Sequence, residues 1–417
     1  MPTNIVPVFA FESINAPMLF GAILIAGLVA DRLFSALRFV PRITIYLLIG
    51  LLIGPGALGW LDAGSLATAR VFADIAIALL LFELGRYLDL AWIGRERWLL
   101  LTSVAEGVLT FCFVAAALVA LNVNWQTAVT GALIAIATAP AVVMSVVRDV
   151  GADGNVTKRL LAMTAMNNIL ALVGLHALLP VLRAMAAPDA TQATSWLQEW
   201  VDTLGPPVVM FIGGLVAGWL AARLTLLLAA LLGKDRDSHF ALLIAALVFV
   251  VGVAHQFNLS VLVAVLAFAV FSKNLDRQRF LLEPDFDKAR RVFSILLFVV
   301  VGASLSLSEV ALYAPAIAAL VGARLVAKVL ATTLFARPAR VRLRNAALLG
   351  LALSPMAEVA LSVSTLYAAM LPQVGPTLLP VIAGAVVVSE IAGPVLTQLA
   401  LRLAGEARGD TLLGRLP

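Results

Sequence analysis

The chain alternates long, uninterrupted apolar runs with short loops rich in Lys and Arg. The runs hold about twenty residues, the length a helix needs to cross about 30 Å of hydrocarbon. They lack the apolar–polar alternation of membrane β-strands, and helices are the other backbone solution open to a chain in lipid. The pattern predicts an all-α polytopic membrane protein of about thirteen spans. These lie near Met18–Phe34, Thr44–Leu61, Val71–Leu84, Leu99–Leu121, Thr127–Val147, Leu160–Leu182, Pro207–Leu232, Phe240–Ala254, Ser260–Phe271, Phe293–Leu307, Leu312–Leu334, Ala346–Met370 and Leu378–Leu403. The ninth is short enough to re-enter. The longest outer loop, from Arg183 to Gly205, has room for a short surface helix.

Loop charge orders these spans. Lys and Arg gather in the loop after every odd-numbered span and in the C-terminal tail, as cytoplasmic loops do. The opposite loops hold only Arg70 and Arg183, while Arg324 and Lys328 lie inside the eleventh span. The N-terminus is therefore expected outside and the C-terminus in the cytoplasm, in a cell inner membrane. Composition agrees: 62% of residues are hydrophobic and 13% charged, against about 45–50% and 25% in soluble domains. Residues 1–417 read as a single membrane transport domain with no soluble regulatory domain. No basic stretch precedes Arg32, so no signal peptide is expected. The net charge of +5 belongs to the membrane loops and implies no nucleic acid or acidic partner. The single cysteine, Cys112, excludes an intrachain disulfide and reads as a small core residue.

Two spans carry Pro deep inside them. The fifth reads Ala135-Ile-Ala-Thr-Ala-Pro140-Ala-Val-Val143, and the twelfth Gly350-Leu-Ala-Leu-Ser-Pro355-Met-Ala-Glu-Val359. Pro removes a backbone donor and clashes with the preceding turn. Thr138 and Ser354 stand just before these prolines, where a hydroxyl can serve freed carbonyls. The two spans are an odd number apart and so run in opposite directions. An inverted repeat with two crossed broken helices, spans 5 and 12, requires that arrangement, and transporters bind solutes at such breaks.

Polar residues cluster on the spans between. Span six holds Asn167 and Asn168, which need partners in hydrocarbon and can offer carbonyl oxygens to a cation. Arg324 and Lys328, spaced i, i+4, share a face of span eleven. Such buried cations demand carboxylate or carbonyl partners. Glu358 in span twelve is the expected partner of Lys328. Glu390 in span thirteen can cap or pair, and Glu83 in span three can pair with Arg86. Glu106 lies in span four. His239 and His255, at span ends, read as solvated. No Cys/His cluster, phosphate loop or nucleophile–base motif appears, so no metal, cofactor or enzymatic chemistry is expected.

With these residues the chain resembles the monovalent cation:proton antiporter superfamily, in the branch of bacterial potassium-efflux and sodium–proton exchangers. Ile45–Pro55 is similar to that family's second span, and Leu79–Gly85 followed by Leu88-Asp89 to its third. Ala137–Val143 resembles its first broken helix and Phe298–Gly302 its tenth span. Lys328 with Ala336-Arg-Pro338 resembles its eleventh, and Ser389–Pro394 its last. The resemblance covers nearly the whole chain. It implies a homodimer whose core part, holding the crossed helices, moves against a dimerisation part to give alternating access. The family's span six carries a carboxylate where this chain has Asn167-Asn168, which leaves Glu358, Glu83 and Glu390 as possible substitutes.

The function expected is a secondary antiporter exchanging Na+ or K+ for protons. Thr138, Asn167, Asn168 and Ser354 would lie on the ion path and Glu358 would titrate. Two alternatives stay open. An anion or organic-solute carrier would use Arg324 and Lys328 as its site, and a non-transporting membrane scaffold or sensor would carry no flux.

Overall fold

The computed structural model describes residues 16–33, 42–54, 57–59, 75–86, 88, 90–186, 196–233, 235–276, 287–304, 312–356, 360, 364 and 374–407. Among the described residues every regular element is a helix. In chain order they are α1 (Ala16–Leu33), α2 (Arg42–Ile53), α3 (75–86), α4 (Leu90–Arg95), α5 (Arg97–Ala120), α6 (Trp125–Ile134), α7 (Pro140–Asp149) and α8 (Asn155–Ala186). There follow α9 (Trp196–Leu232), α10 (Arg236–Gln256), α11 (Val261–Leu275), α12 (Asp287–Ser304), α13 (Ala314–Leu334), α14 (Leu343–Ala352) and α15 (Gly375–Leu403).

Polar side chains start the helices where the apolar runs begin. Asn124 accepts from the Gln126 amide at 3.0 Å ahead of α6, and Asp235 from the Ser238 amide at 3.0 Å ahead of α10. Each satisfies a first-turn N–H that has no partner within the helix. Gly233, at φ +74°, ends α9 in the left-handed conformation that glycine takes without strain. Five stretches among the described residues are long and apolar enough to cross a membrane alone: Arg97–Ala120, Val208–Leu232, Arg236–Gln256, Ala314–Leu334 and Gly375–Leu403.

The end of the outer loop is helical, since α9 starts at Trp196 and runs unbroken into the seventh span; residues 187–195 lie outside the described residues. Two local expectations are corrected. Cys112 is exposed on the outer side of α5, since the buried stripe of that helix runs through Glu106, Thr110 and Val114. His239 is fully buried, with Nε2 3.3 Å from the Ala229 carbonyl oxygen at the end of α9. The hairpin between α9 and α10 folds the ring inward.

Glycines set the closest helix pairs. A Cβ on Gly54, at the end of α2, would come within 2.6 Å of the Ala303 carbonyl oxygen of α12. One on Gly85 of α3 would lie 3.0 Å from the Leu266 carbonyl oxygen of α11. Beside it Phe82 and Phe268 stack with ring centroids 5.0 Å apart. Small residues let membrane helices approach where no hydrophobic force draws them together. The opposite faces stay apolar and exposed, as at Leu227 and Leu231 of α9, which suits lipid rather than water.

Candidate functional site

Both Pro-bearing spans are interrupted. In the fifth, α6 stops at Ile134 and α7 starts at Pro140, with residues 135–139 outside any helix. Ala139 is extended, at φ −68° and ψ 105°, because Pro disfavours helical geometry in the residue before it. Pro140 itself opens α7, where its missing N–H costs nothing. In the twelfth, α14 stops at Ala352, and 353–356 leave the helix before Pro355 is passed. The Ala139 amide donates to the Pro355 carbonyl oxygen at 3.1 Å, so the two interruptions touch backbone to backbone.

Arg324 of α13 holds both. Its Nε donates to the Ala135 carbonyl at 2.7 Å and its Nη2 to the carbonyls of Ala137 at 2.8 Å and Pro355 at 2.9 Å; Nη1 donates to the Ser354 carbonyl. α6 and α14 both end here, and a helix C-terminus carries unpaired carbonyls and partial negative charge. The planar guanidinium offers several fixed donors and serves the carbonyls of both chain segments at once. The freed carbonyls are thus met mainly by a cation of the neighbouring helix. Among the described residues Thr138 Oγ1 accepts from Asn167 and Lys328, and Ser354 Oγ donates to the Gly393 carbonyl at 3.5 Å, so neither hydroxyl serves the carbonyls that Arg324 holds.

One turn along α13, Lys328 is fully buried. Its Nζ forms an ion pair with Glu106 Oε1 of α5 and lies 3.3 Å from both the Ile136 carbonyl oxygen and Thr138 Oγ1. Thr110, one turn along α5, donates to the same Glu106 Oε1 at 3.2 Å. From α8, Asn167 Nδ2 donates to Thr138 Oγ1 at 3.2 Å, and Asn168 Nδ2 to the carbonyls of Thr138 at 2.7 Å and Thr164 at 2.8 Å. Thr138 therefore stands at the centre of a network that joins α5, α8, α13 and the first interruption. Glu106 Oε2, Asn167 Oδ1 and Asn168 Oδ1 are buried and accept no hydrogen bond among the described residues.

Lys328 pairs with Glu106, because α13 packs along α5 with the two charges facing, whereas the partner expected from the sequence is Glu358. Glu358 itself lies outside the described residues. Glu390 of α15 is buried. α15 also lines the second interruption: Thr397 donates to the Ala352 carbonyl at 3.0 Å, and a Cβ on Gly393 would meet the Pro355 Cα at 2.8 Å. Glu83 is buried on α3 with Arg148 Nε of α7 3.7 Å from Oε2, an ion-pair partner from another helix beyond the Arg86 expected. Glu106 was the residue least prominent in the sequence. The signal that marks it is the polar stripe Thr102, Ser103, Glu106 and Thr110, all buried along one side of an otherwise apolar span.

A cavity lies about one helical turn from this cluster. Its lining includes Thr102, Met163 and Thr332, each four residues from Glu106, Asn167 and Lys328 respectively. Arg159 also lines it, and its Nη2 donates to Glu96 Oε2 at 3.0 Å.

The sequence model of the sodium/hydrogen exchanger transmembrane family matches residues 20–402. The structure is similar to that of the sodium proton antiporter MjNhaP1 from Methanocaldococcus jannaschii at pH 8, with a TM-score of 0.65 and 17% identity over 94% of this chain and 97% of the other. An electron-microscopy structure of that antiporter gives a TM-score of 0.68 and 18% identity, over 95% and 98%. At such identities the likeness concerns the fold.

Proposed function

From the premise that this chain belongs to the sodium/hydrogen exchanger family, we propose a secondary antiporter that exchanges a monovalent cation, Na+ or K+, for protons by alternating access. One observation carries the reading: two helix interruptions bonded to each other through Ala139 and Pro355, with buried Arg324, Lys328 and Glu106 beside them. Broken helices place half-helix ends and unpaired backbone in the membrane interior, where a solute can exchange its hydration shell for protein groups.

The breaks at Pro140 and Pro355 are read as the crossing point of two inverted repeats. The pairing of α2 with α12 and of α11 with α3 supports this, since a repeat that relates span two to nine and three to ten exchanges the two pairs. The remaining architecture follows the sequence: about thirteen spans, N-terminus outside and C-terminus in the cytoplasm, in one membrane transport domain of an inner membrane. The homodimer is the assembly the family resemblance implies. The cavity beside Thr102 and Thr332 lies toward Arg159, on the side given to the cytoplasm.

Thr138, Asn167, Asn168 and Ser354 line the ion path. Arg324 acts as the staple of the two breaks and Lys328 as the charge partner of Glu106. Glu83, Glu390 and Glu358 are further carboxylates of the membrane spans. An anion or organic-solute carrier would need Arg324 and Lys328 to face a ligand. Arg324 is instead committed to four carbonyls and Lys328 to Glu106. A non-transporting scaffold predicts no flux at all.

The test is a proteoliposome loaded with a pH-sensitive dye and carrying an imposed ΔpH. Addition of Na+ or K+ should dissipate it. No response to either ion from mildly acidic to mildly alkaline pH would remove the antiport reading.

A further inference from the structure

We propose that Glu106, Asn167, Asn168 and Thr138 form the binding site of a desolvated alkali-metal cation, with Glu106 as the carboxylate on which cation and proton exclude one another. The inference rests on the antiport reading and deepens it.

Three buried oxygens carry it. Glu106 Oε2, Asn167 Oδ1 and Asn168 Oδ1 accept no hydrogen bond among the described residues. A buried polar atom without a partner costs about 1–3 kcal/mol, and three around one threonine need a common explanation. The orientation of Asn168 is chemically fixed. Its amide nitrogen faces the Thr138 and Thr164 carbonyl oxygens, which can only accept, so its Oδ1 must point away from them. Asn167 is tied to the hydroxyl of the same Thr138. Glu106 reaches Thr138 through Lys328, whose Nζ contacts Glu106 Oε1 and Thr138 Oγ1. The three free oxygens thus belong to one connected cluster.

The donor set selects the ligand class. All the free atoms are hard oxygens, which suit alkali and alkaline-earth ions and not softer metals. One carboxylate already balanced by a buried lysine, with Arg324 one turn away, cannot balance a divalent charge in low dielectric. A monovalent ion is the charge the site tolerates. Exchange needs a group that can hold a proton, and asparagine and threonine side chains cannot serve at physiological pH. Glu106 is the carboxylate of the cluster among the described residues. A cation bound to it becomes its counter-charge, so a proton held by the Glu106–Lys328 pair must leave. On the return step a proton takes the place of the cation. The span-six carboxylate missing at Asn167-Asn168 is thereby replaced by one from span four.

The full-length protein in detergent and in proteoliposomes decides the matter. Wild type should gain thermal stability in NaCl or KCl over choline chloride, and Glu106→Gln should lose that gain together with at least about tenfold of the exchange rate. Glu106→Asp keeps the carboxylate but withdraws it by a methylene. It should still exchange, with a severalfold weaker apparent affinity for the cation. Folding of each variant is checked by monodisperse gel filtration. Wild-type exchange and cation-induced stabilisation in folded Glu106→Gln would overturn the site and leave antiport standing. If Glu106→Gln does not fold, unchanged cation affinity in Glu106→Asp overturns it. Absence of exchange in wild type would end the antiport reading, and the thermal shift in wild type against Glu106→Asp would then judge the site alone: no cation-dependent shift in wild type, or the same shift in both, would overturn it.

Discussion

Lys328 of α13 and Glu106 of α5 form an ion pair with both side chains fully buried, one turn from the guanidinium that joins the two interrupted helices. Burying two charges costs several kcal/mol of hydration per ion, and mutual attraction offsets that only with close geometry and further hydrogen bonds. Thr110 and Thr138 supply such bonds. The arrangement is more costly than an apolar contact would be, which fits a pair kept for ion exchange rather than for stability.

Breaking the pair from one side should therefore hurt more than removing it. Lys328→Met leaves Glu106 buried without its counter-charge and should lose about 3–5 kcal/mol. The double variant Glu106→Gln/Lys328→Met should recover a large part of that loss while remaining inactive. Thermal unfolding in detergent of the two single variants and the double closes the cycle. Additive losses would mean that the two charges do not interact.

Arg324→Lys preserves the charge and should still fail. Lysine presents its donors from one nitrogen, whereas Arg324 reaches Ala135 and Ala137 on one segment and Ser354 and Pro355 on the other. Each buried carbonyl the lysine fails to reach would lose a donor, at about 1–3 kcal/mol. A clear fall in Tm with loss of flux is expected. Wild-type Tm would show that the breaks are held by other means.

Much of this site could be read in the chain. Pro140 and Pro355 marked both interruptions because their chemistry is local: each disfavours helical geometry in the residue before it. Arg324 and Lys328 were legible as one face of span eleven because four-residue spacing fixes that by itself. The partner of Lys328 was not legible. Which of several carboxylates faces a given lysine depends on which helices pack together, and Glu106 and Lys328 are 222 positions apart. Glu358, nearest to a Pro break in sequence, is the partner the sequence suggests, and it lies outside the described residues. The role of Glu406 was equally hidden. Its carboxylate accepts from the Val156 and Thr157 amides at 2.8 and 2.7 Å, capping α8 from the far end of the chain.

That distant cap gives a prediction of its own. Glu406→Ala would leave the first-turn amides of α8 without an acceptor and remove the bond from Thr157 Oγ1 at 2.7 Å. Loss of a cap costs about 0.5–2 kcal/mol. Hydrogen exchange should show faster amide exchange at the start of α8, with the centre of that helix, around Asn167, unchanged. Uniform protection in the variant would count against the cap.

Gly393→Ala tests how closely α15 must approach the second interruption. The added Cβ would sit 2.8 Å from Pro355 Cα and 3.1 Å from its Cβ and Cγ, closer than side chains tolerate. Overpacking of this kind costs about 1–3 kcal/mol. The displaced atoms include Pro355, whose carbonyl bonds Ala139 and Arg324, so exchange should fall more steeply than Tm.

The two asparagines of α8 should respond differently to the same chemistry. Asn168 donates to two carbonyl oxygens, at 2.7 and 2.8 Å. In Asn168→Asp an ionised carboxylate would face two acceptors, and a protonated one could satisfy only one of them. A loss of about 1–3 kcal/mol follows, with exchange reduced rather than gained. Asn167 donates to a hydroxyl, Thr138 Oγ1, at 3.2 Å. A hydroxyl can reverse its role and donate to a carboxylate, so Asn167→Asp should be better tolerated and should add a second titrating group beside Glu106. Proteoliposome flux against pH for both variants separates the cases. A stable, fully active Asn168→Asp protein would mean that the amide orientation at Thr138 is not what holds the first interruption open.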